Sequence, residues 1–287
     1  MCVFVFPETY SPVLLKLKAQ RLRKETGNQT LYHPHERMRL DPKTIVTKHF
    51  SRPILMLLIE PMVTAIALYA SFVYGLLFLT LEVFPIVFEE HRHWKPVIAS
   101  LPFLGLFVGV ISAVGVNLAN QPRYKRISDA AQGKPVPEAR LAPMAIGGIL
   151  FAIGLFWFGW TAGNNIHCKL LRITWKHSSN NLLGIIPVIA TVFIGAGFNI
   201  IFQQCINFLV DTYALYAASA VSANTILRSL LAAGFPLVAK PMFHNLGVGP
   251  AMSILGGIAA IAIPVPFIFM KYGLTLRKMS KFSPVHE

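Results

Sequence analysis

Residues 183–210 read Leu183-Gly-Ile-Ile-Pro-Val-Ile-Ala-Thr-Val-Phe-Ile-Gly-Ala-Gly-Phe-Asn-Ile-Ile-Phe-Gln-Gln-Cys-Ile-Asn-Phe-Leu-Val210, with no charged side chain among them. About 20 apolar residues carry a helix across ~30 Å of hydrocarbon, so this stretch is long enough to span a bilayer. Its polar residues say more. Asn199, Gln203 and Asn207, with Asp211 just past the end, stand four residues apart. Four residues turn a helix by about 400°, so successive members drift by only ~40° and share one stripe. Gln204 flanks it. Hydrocarbon cannot satisfy amides, so the stripe must face protein or water. It reads as the wall of a translocation cavity, or as interhelical hydrogen bonding that only holds a bundle together. Four aligned positions favour the cavity.

Five more windows have similar length and character: Ile54 to Thr80, Val97 to Leu118, Ala142 to Gly163, Tyr213 to Ala239 and Gly249 to Lys271. The whole chain is 54% hydrophobic and 13% charged, with a mean hydropathy of +0.57. These values exclude a disordered tail, a disulfide scaffold and most soluble enzymes. They predict an all-α membrane protein, a bundle of six transmembrane helices. The expected organisation is a remnant of a preceding helix over Met1–Phe6, a basic linker over residues 7–52, a six-helix domain over 53–272 and a tail over 273–287.

The 26 Lys and Arg residues set the orientation. Ten lie between residues 11 and 52, five between Arg123 and Arg140, and four from Lys271 onward, so nineteen flank one side. Six fall on the other side, and Arg228 lies within a span. Cationic loops stay in the cytosol, which predicts cytosolic termini. Cations spread over several membrane-flanking loops also argue against a nucleic-acid partner and for the lipid bilayer. Within the linker, Val13 to Lys24 reads as a basic amphipathic helix resting on lipid or protein, or equally as a solvated linker helix. The sequon Asn28-Gln29-Thr30 is silent if cytosolic. Cys2, Cys168 and Cys205 lack metal or CxxC spacing, and Cys205 reads as a packing residue.

Ionisable groups inside hydrocarbon are costly, which makes each a functional candidate. Glu60 lies seven residues into its window and is followed by Pro61. It reads as a proton or substrate site facing a cavity, or equally as a structural acid. Arg228 must pair with a neighbouring helix or face water. Tyr69, Phe72 and Tyr74 line an aromatic pocket or simply pack. Gly105-x3-Gly109 and Gly195-Ala-Gly197 signal close helix packing. Pro61, Pro187, Pro236, Pro264 and Pro266 bend or break their helices. There is no GxSxG, HExxH, Walker A or CxxC pair, so no enzyme, catalytic residue, metal or cofactor is expected. His91-Arg92-His93 beside Glu89-Glu90, and His33-Pro34-His35, read as solvated loops.

Several motifs carry a family resemblance. Pro7-Glu8-Thr9-Tyr10 with Lys18-Ala-Gln-Arg-Leu-Arg-Lys-Glu-Thr-Gly-Asn28 closely resembles the segment after the sixth helix of fungal multidrug transporters. These are the twelve-span drug:proton antiporters of the major facilitator superfamily. Arg52-Pro53, Glu60-Pro61 and Tyr74-Gly75 look like that family's seventh helix. Asn120-Gln121 with Arg123-Tyr124, and Val136-Pro137-Glu138-Ala-Arg140-Leu141, look like the loop after its eighth. Asn224-Thr-Ile-Leu-Arg228 with Gly234-Phe-Pro236 looks like its eleventh, and His244 to Gly249 with Pro264-Val-Pro266 like the run into its twelfth.

The resemblance implies the carboxy-terminal half of such a transporter, in the plasma membrane. Glu60, Asn199, Gln203, Asn207, Asp211, Arg228, Tyr69 and Tyr74 are then the candidates for substrate binding or coupling. Substrates would be small hydrophobic or cationic molecules exported against protons. The partner would be a missing amino-terminal half or a second copy of the chain. The alternative is a non-transporting scaffold or regulatory fragment that binds a full-length relative. The segment from Cys168 to Leu183 departs from the family's short outer loop. It places Lys169, Arg172 and Lys176 against the charge rule and reads as translated non-coding sequence, or else as a genuine long loop.

Overall fold

A computed structural model describes residues 11–28, 32, 51–133, 135–162, 180–278 and 280. Met1–Phe6, the His33-Pro34-His35 motif and, of the segment Cys168 to Leu183, residues 168–179 lie outside the described residues. The chain divides into two units, Met1–Ser51 and Arg52–Glu287.

The first unit contributes α1 (Ser11–Thr26). Its leucines Leu14, Leu15, Leu17 and Leu22 are exposed along with its cations. The helix ends where Gly27 takes a left-handed φ of 68° and donates its amide to the Arg23 carbonyl at 3.1 Å. Glycine adopts that conformation without the cost a Cβ brings.

The second unit is built from α2 (Ser51–Ile59), α3 (Pro61–Pro85), a wide π-type turn (Ile86–His91), α4 (Pro96–Ala99), α5 (Leu101–Ala130), a 3-10 turn (Pro137–Arg140), α6 (Leu141–Ala162), α7 (Asn180–Tyr213), a 3-10 turn (Ala214–Tyr216), α8 (Ala217–Leu246), α9 (Val248–Ala262) and α10 (Val265–Lys278). Among the described residues there is no strand. Five stretches of the described residues are long and apolar enough to cross a membrane. The longest, Ile185–Leu246, covers 62 residues and holds both α7 and α8. A straight helix of that length would extend about 90 Å, three bilayer cores. Instead α3 packs on both α7 and α8, so the chain folds back at the turn between them.

The packing follows from small residues. α7 lies mainly against α5 and α6, α8 against α3, and α9 against α6. A Cβ on Gly195 would sit 2.5 Å from the Leu106 carbonyl oxygen, and one on Gly109 would run into that of Val192. Gly197 meets the Phe151 backbone in the same way. Backbones this close replace the hydrophobic effect, absent between helices in lipid, with dispersion contacts. The packing expected of Gly105-x3-Gly109 and Gly195-Ala-Gly197 is thus present. Aromatic residues fill the centre: Phe84 and Phe158 stand 5.4 Å apart, and both are buried. Outward, Leu68, Phe103, Leu104, Phe107, Ile111, Ile149, Ile153 and Ile261 are exposed. Such an apolar girdle fits hydrocarbon and would aggregate in water.

The prolines divide as their positions dictate. Pro61 breaks the first window, so α2 and α3 are separate helices, and Pro264 lies in the break between α9 and α10. Pro187 and Pro236 remain inside continuous helices.

Candidate functional site

The break at Glu60 is a direct consequence of Pro61. Proline pushes the residue before it into extended backbone and is well placed at the first position of a new helix. Glu60 accordingly has φ −95° and ψ 102°. Proline also lacks the amide that would bond the Leu57 carbonyl four residues back. The Thr64 hydroxyl supplies the bond instead, donating to the Leu57 carbonyl and lying 3.0 Å from that of Glu60. Glu60 itself is fully buried. The hydroxyl of Tyr213, also fully buried at the end of α7, donates to Glu60 Oε2 at 3.0 Å. Of the two outcomes that the sequence allows for Pro61, a bend or a break, the structure has the break, and Glu60 stands at it.

A second cluster joins three helices. Tyr74 and Phe78 of α3 meet Phe198 and Phe202 of α7, with the Tyr74 centroid 4.9 Å from Phe78, 5.8 Å from Phe198 and 6.4 Å from Phe202. Arg228 of α8 places its guanidinium carbon 4.6 Å from the Tyr74 centroid and 4.8 Å from that of Phe202. All five side chains are half-buried. Among the described residues Arg228 forms no ion pair, and its buried Nε has no hydrogen-bond partner. The neighbouring helices thus meet Arg228 with ring faces and, among the described residues, with no carboxylate.

The polar stripe of α7 is not one surface. Asn199 and Asn207 are half-buried, whereas Gln203 is exposed. Its neighbour Gln204 is the buried amide, donating Nε2–H to Asn117 Oδ1 of α5 at 2.8 Å. Asp211 lies within α7, not beyond it. It accepts from Tyr124 Oη at 2.7 Å and from Arg140 Nε at 2.9 Å. Arg140 in turn stacks 3.5 Å from the Tyr124 ring centroid. Asp211 therefore ties the ends of α5, α7 and the Pro137–Arg140 turn together. The ~40° drift per step, summed over twelve residues, carries the stripe from one neighbour to another.

The three aromatics of α3 also separate. Tyr69 and Phe72 line a groove of about 360 Å³ with Ile258, Ile261 and Val265, while Tyr74 turns to Arg228.

No family model matches the chain, and no solved structure does. Curated relatives do. The chain is 39% identical over 287 residues, its whole length, to the major facilitator superfamily multidrug transporter FLU1 of Candida albicans, of which it covers 45%. It is 40% identical over 285 residues, 99% of its length, to the MFS-type transporter acdC of Aspergillus candidus, of which it covers 52%. It is 44% identical over 285 residues, 97% of its length, to the citrinin biosynthesis cluster MFS transporter mrr1 of Monascus ruber, again covering 52%. It thus spans about half the length of the curated relatives it matches. The chain matches one half of a full-length major facilitator superfamily transporter.

The chain is a multi-pass membrane protein, as its long apolar helices and its likeness to these transporters support. Its most developed cluster includes side chains that the polar pattern did not flag. Phe198 and Phe202 each precede a stripe residue by one position and share their own i, i+4 face. Tyr213, the partner of Glu60, stands two residues after Asp211. The spacing of Phe198 and Phe202 was available in the sequence. The Tyr213–Glu60 bond was not, because it spans 153 residues.

Proposed function

We propose that the chain forms the carboxy-terminal half of a drug or small-molecule exporter driven by proton antiport. It works against a second six-helix half across a shared cavity, in the plasma membrane with both termini cytosolic. The observation that carries the reading is the fully buried Glu60 carboxyl, hydrogen-bonded by Tyr213 at a helix break. A carboxylate enclosed in protein and lipid is costly, and protonation removes that cost. A tyrosine hydroxyl serves both states, donating to the carboxylate and accepting from the acid. Broken helices near ion sites recur in transporters, where one half rocks against the other. Glu60 would then hold its proton while the other half closes over it and exchange it with water where the break opens to either side.

The substrate wall in this reading is the ring cluster of Tyr74, Phe78, Phe198 and Phe202, with Asn199, Gln203 and Asn207 beside it. Small hydrophobic molecules can lie on such faces while the amides fix their orientation. Alone, the wall has no opposite side. Each polar group left without a partner costs roughly 1–3 kcal/mol.

The experiment is drug efflux from vesicles under an imposed pH gradient. The 287-residue chain alone should not pump. Paired with the amino-terminal half of a relative, it should, and Glu60→Gln in that pair should cut transport at least about tenfold (~1.4 kcal/mol in the barrier) with unchanged folded yield. A Glu60→Gln pair that transports at the unmodified rate would return Glu60 to a structural role. Proton-driven efflux by the chain alone would overturn the two-half requirement.

A further inference from the structure

We propose that the Arg228 cluster binds the acidic or strongly hydrogen-bond-accepting end of an aromatic ligand, so that the half prefers anions over cations of the same shape. The inference rests on the reading of this wall as a substrate face and adds the sign of the charge it takes.

Three observations point there. First, the fixed charge of the cluster is positive. Arg228 brings a guanidinium cation, and among the described residues no carboxylate pairs with it. Its partners among the described residues are the faces of Tyr74 and Phe202, at 4.6 and 4.8 Å. Ring faces attract a cation but accept few of its five N–H groups. Second, the buried Nε finds no hydrogen-bond acceptor among the described residues. A guanidinium presents its donors in a planar fork that matches a carboxylate or sulfonate in bidentate fashion. Third, Asn224 stands one turn before Arg228 on the same face of α8. It is 1% exposed, and its Oδ1 has no partner among the described residues. An unpartnered buried amide oxygen is rare; as an acceptor it calls for a donor, which a water bound beside the anionic head supplies.

Aromatic walls and a fork of donors at one end define the ligand class. The hydrophobic body lies along Phe198, Phe202 and Phe78, and an oxygen-rich head meets Arg228, with a donor on the head or a water reaching Asn224 Oδ1. A cationic ligand of the same shape would set its charge against Arg228 in a site of reduced dielectric, where like charges repel most.

The test uses the chain in phosphatidylcholine nanodiscs, whose zwitterionic surface favours neither charge. Binding is measured against empty discs for three probes of one shape: 2-naphthoate, 2-naphthylmethylammonium and neutral 2-naphthalenemethanol. The expected result is naphthoate bound at least about tenfold more tightly than the ammonium, a difference that ~1.4 kcal/mol supplies. Arg228→Lys should keep the sign of the preference with a smaller ratio, since it keeps the charge and loses the fork. Arg228→Gln should erase the preference, bringing the naphthoate and ammonium affinities within about twofold of each other. Ammonium binding equal to or tighter than naphthoate in the unmodified chain overturns the inference and leaves the substrate wall standing. Absence of binding by all three probes removes the wall itself, and the inference with it. The unmodified ratio needs no variant, so misfolding of Arg228→Gln cannot rescue a failed result.

Discussion

Tyr213 and Glu60 are 153 residues apart in the chain and 3.0 Å apart in space, hydroxyl to carboxylate, both fully buried. Pro61 creates the helix break that turns the Glu60 carboxyl toward α7, and the end of α7 brings the phenol to it. The contact closes the bundle between its first broken helix and the turn that leads into α8. Any motion that opens the break has to give up or transfer this bond.

Tyr213→Phe removes the donor and leaves the ring. Because the carboxyl then loses a buried partner, the fold should weaken by about 1–3 kcal/mol. Thermal unfolding in detergent checks this. An unchanged midpoint would mean that the bond contributes nothing to the resting structure.

Gly195→Leu should abolish tight packing of α5 on α7, because even a Cβ there would lie 2.5 Å from the Leu106 carbonyl oxygen. Backbones cannot yield as side-chain ends do, so a loss of more than ~3 kcal/mol and low folded yield are expected. Gly234→Leu on α8 is the control, since a Cβ there meets nothing within 4 Å. Equal yields from the two variants would refute the close-packing account.

Asp211 should couple energetically to Arg140. The pair is 2.9 Å apart, with side chains 15% and 13% exposed. A double-mutant cycle of Asp211→Asn and Arg140→Gln should give a coupling of about 0.5–3 kcal/mol, and Tyr124→Phe should cost about 1 kcal/mol through its bond to the same carboxylate. Additive effects would assign Asp211 back to the cavity wall, where the residue spacing first put it.

Single cysteines introduced at positions 20 and 280 should resist an impermeant thiol reagent in intact cells and react after permeabilisation. The expectation comes from the nineteen of 26 cations that flank one side. Outside labelling at both positions would invert the arrangement.

The sequence by itself determined the class of molecule. Long apolar windows, a low share of charge and the asymmetric distribution of Lys and Arg follow from the cost of polar groups in hydrocarbon, which acts on each segment separately. The helix break was legible for the same local reason: Glu60-Pro61 fixes its own backbone. So was close packing at Gly105, Gly109, Gly195 and Gly197. What the tertiary structure decided was partnership. Periodicity placed Asn199, Gln203, Asn207 and Asp211 on one stripe, but a stripe on a 34-residue helix passes several neighbours. Which neighbour each residue meets depends on where α5, α3 and the Pro137–Arg140 turn cross it. Thus Gln204, not Gln203, became the buried amide, Asp211 went to Arg140 and Tyr124, and Glu60 found Tyr213. Arg228 went to aromatic faces rather than to an acid, because three helices converge there and, among the described residues, no carboxylate comes within ion-pair distance of it. Spacing along one helix states which residues travel together; only packing between helices states what they travel toward.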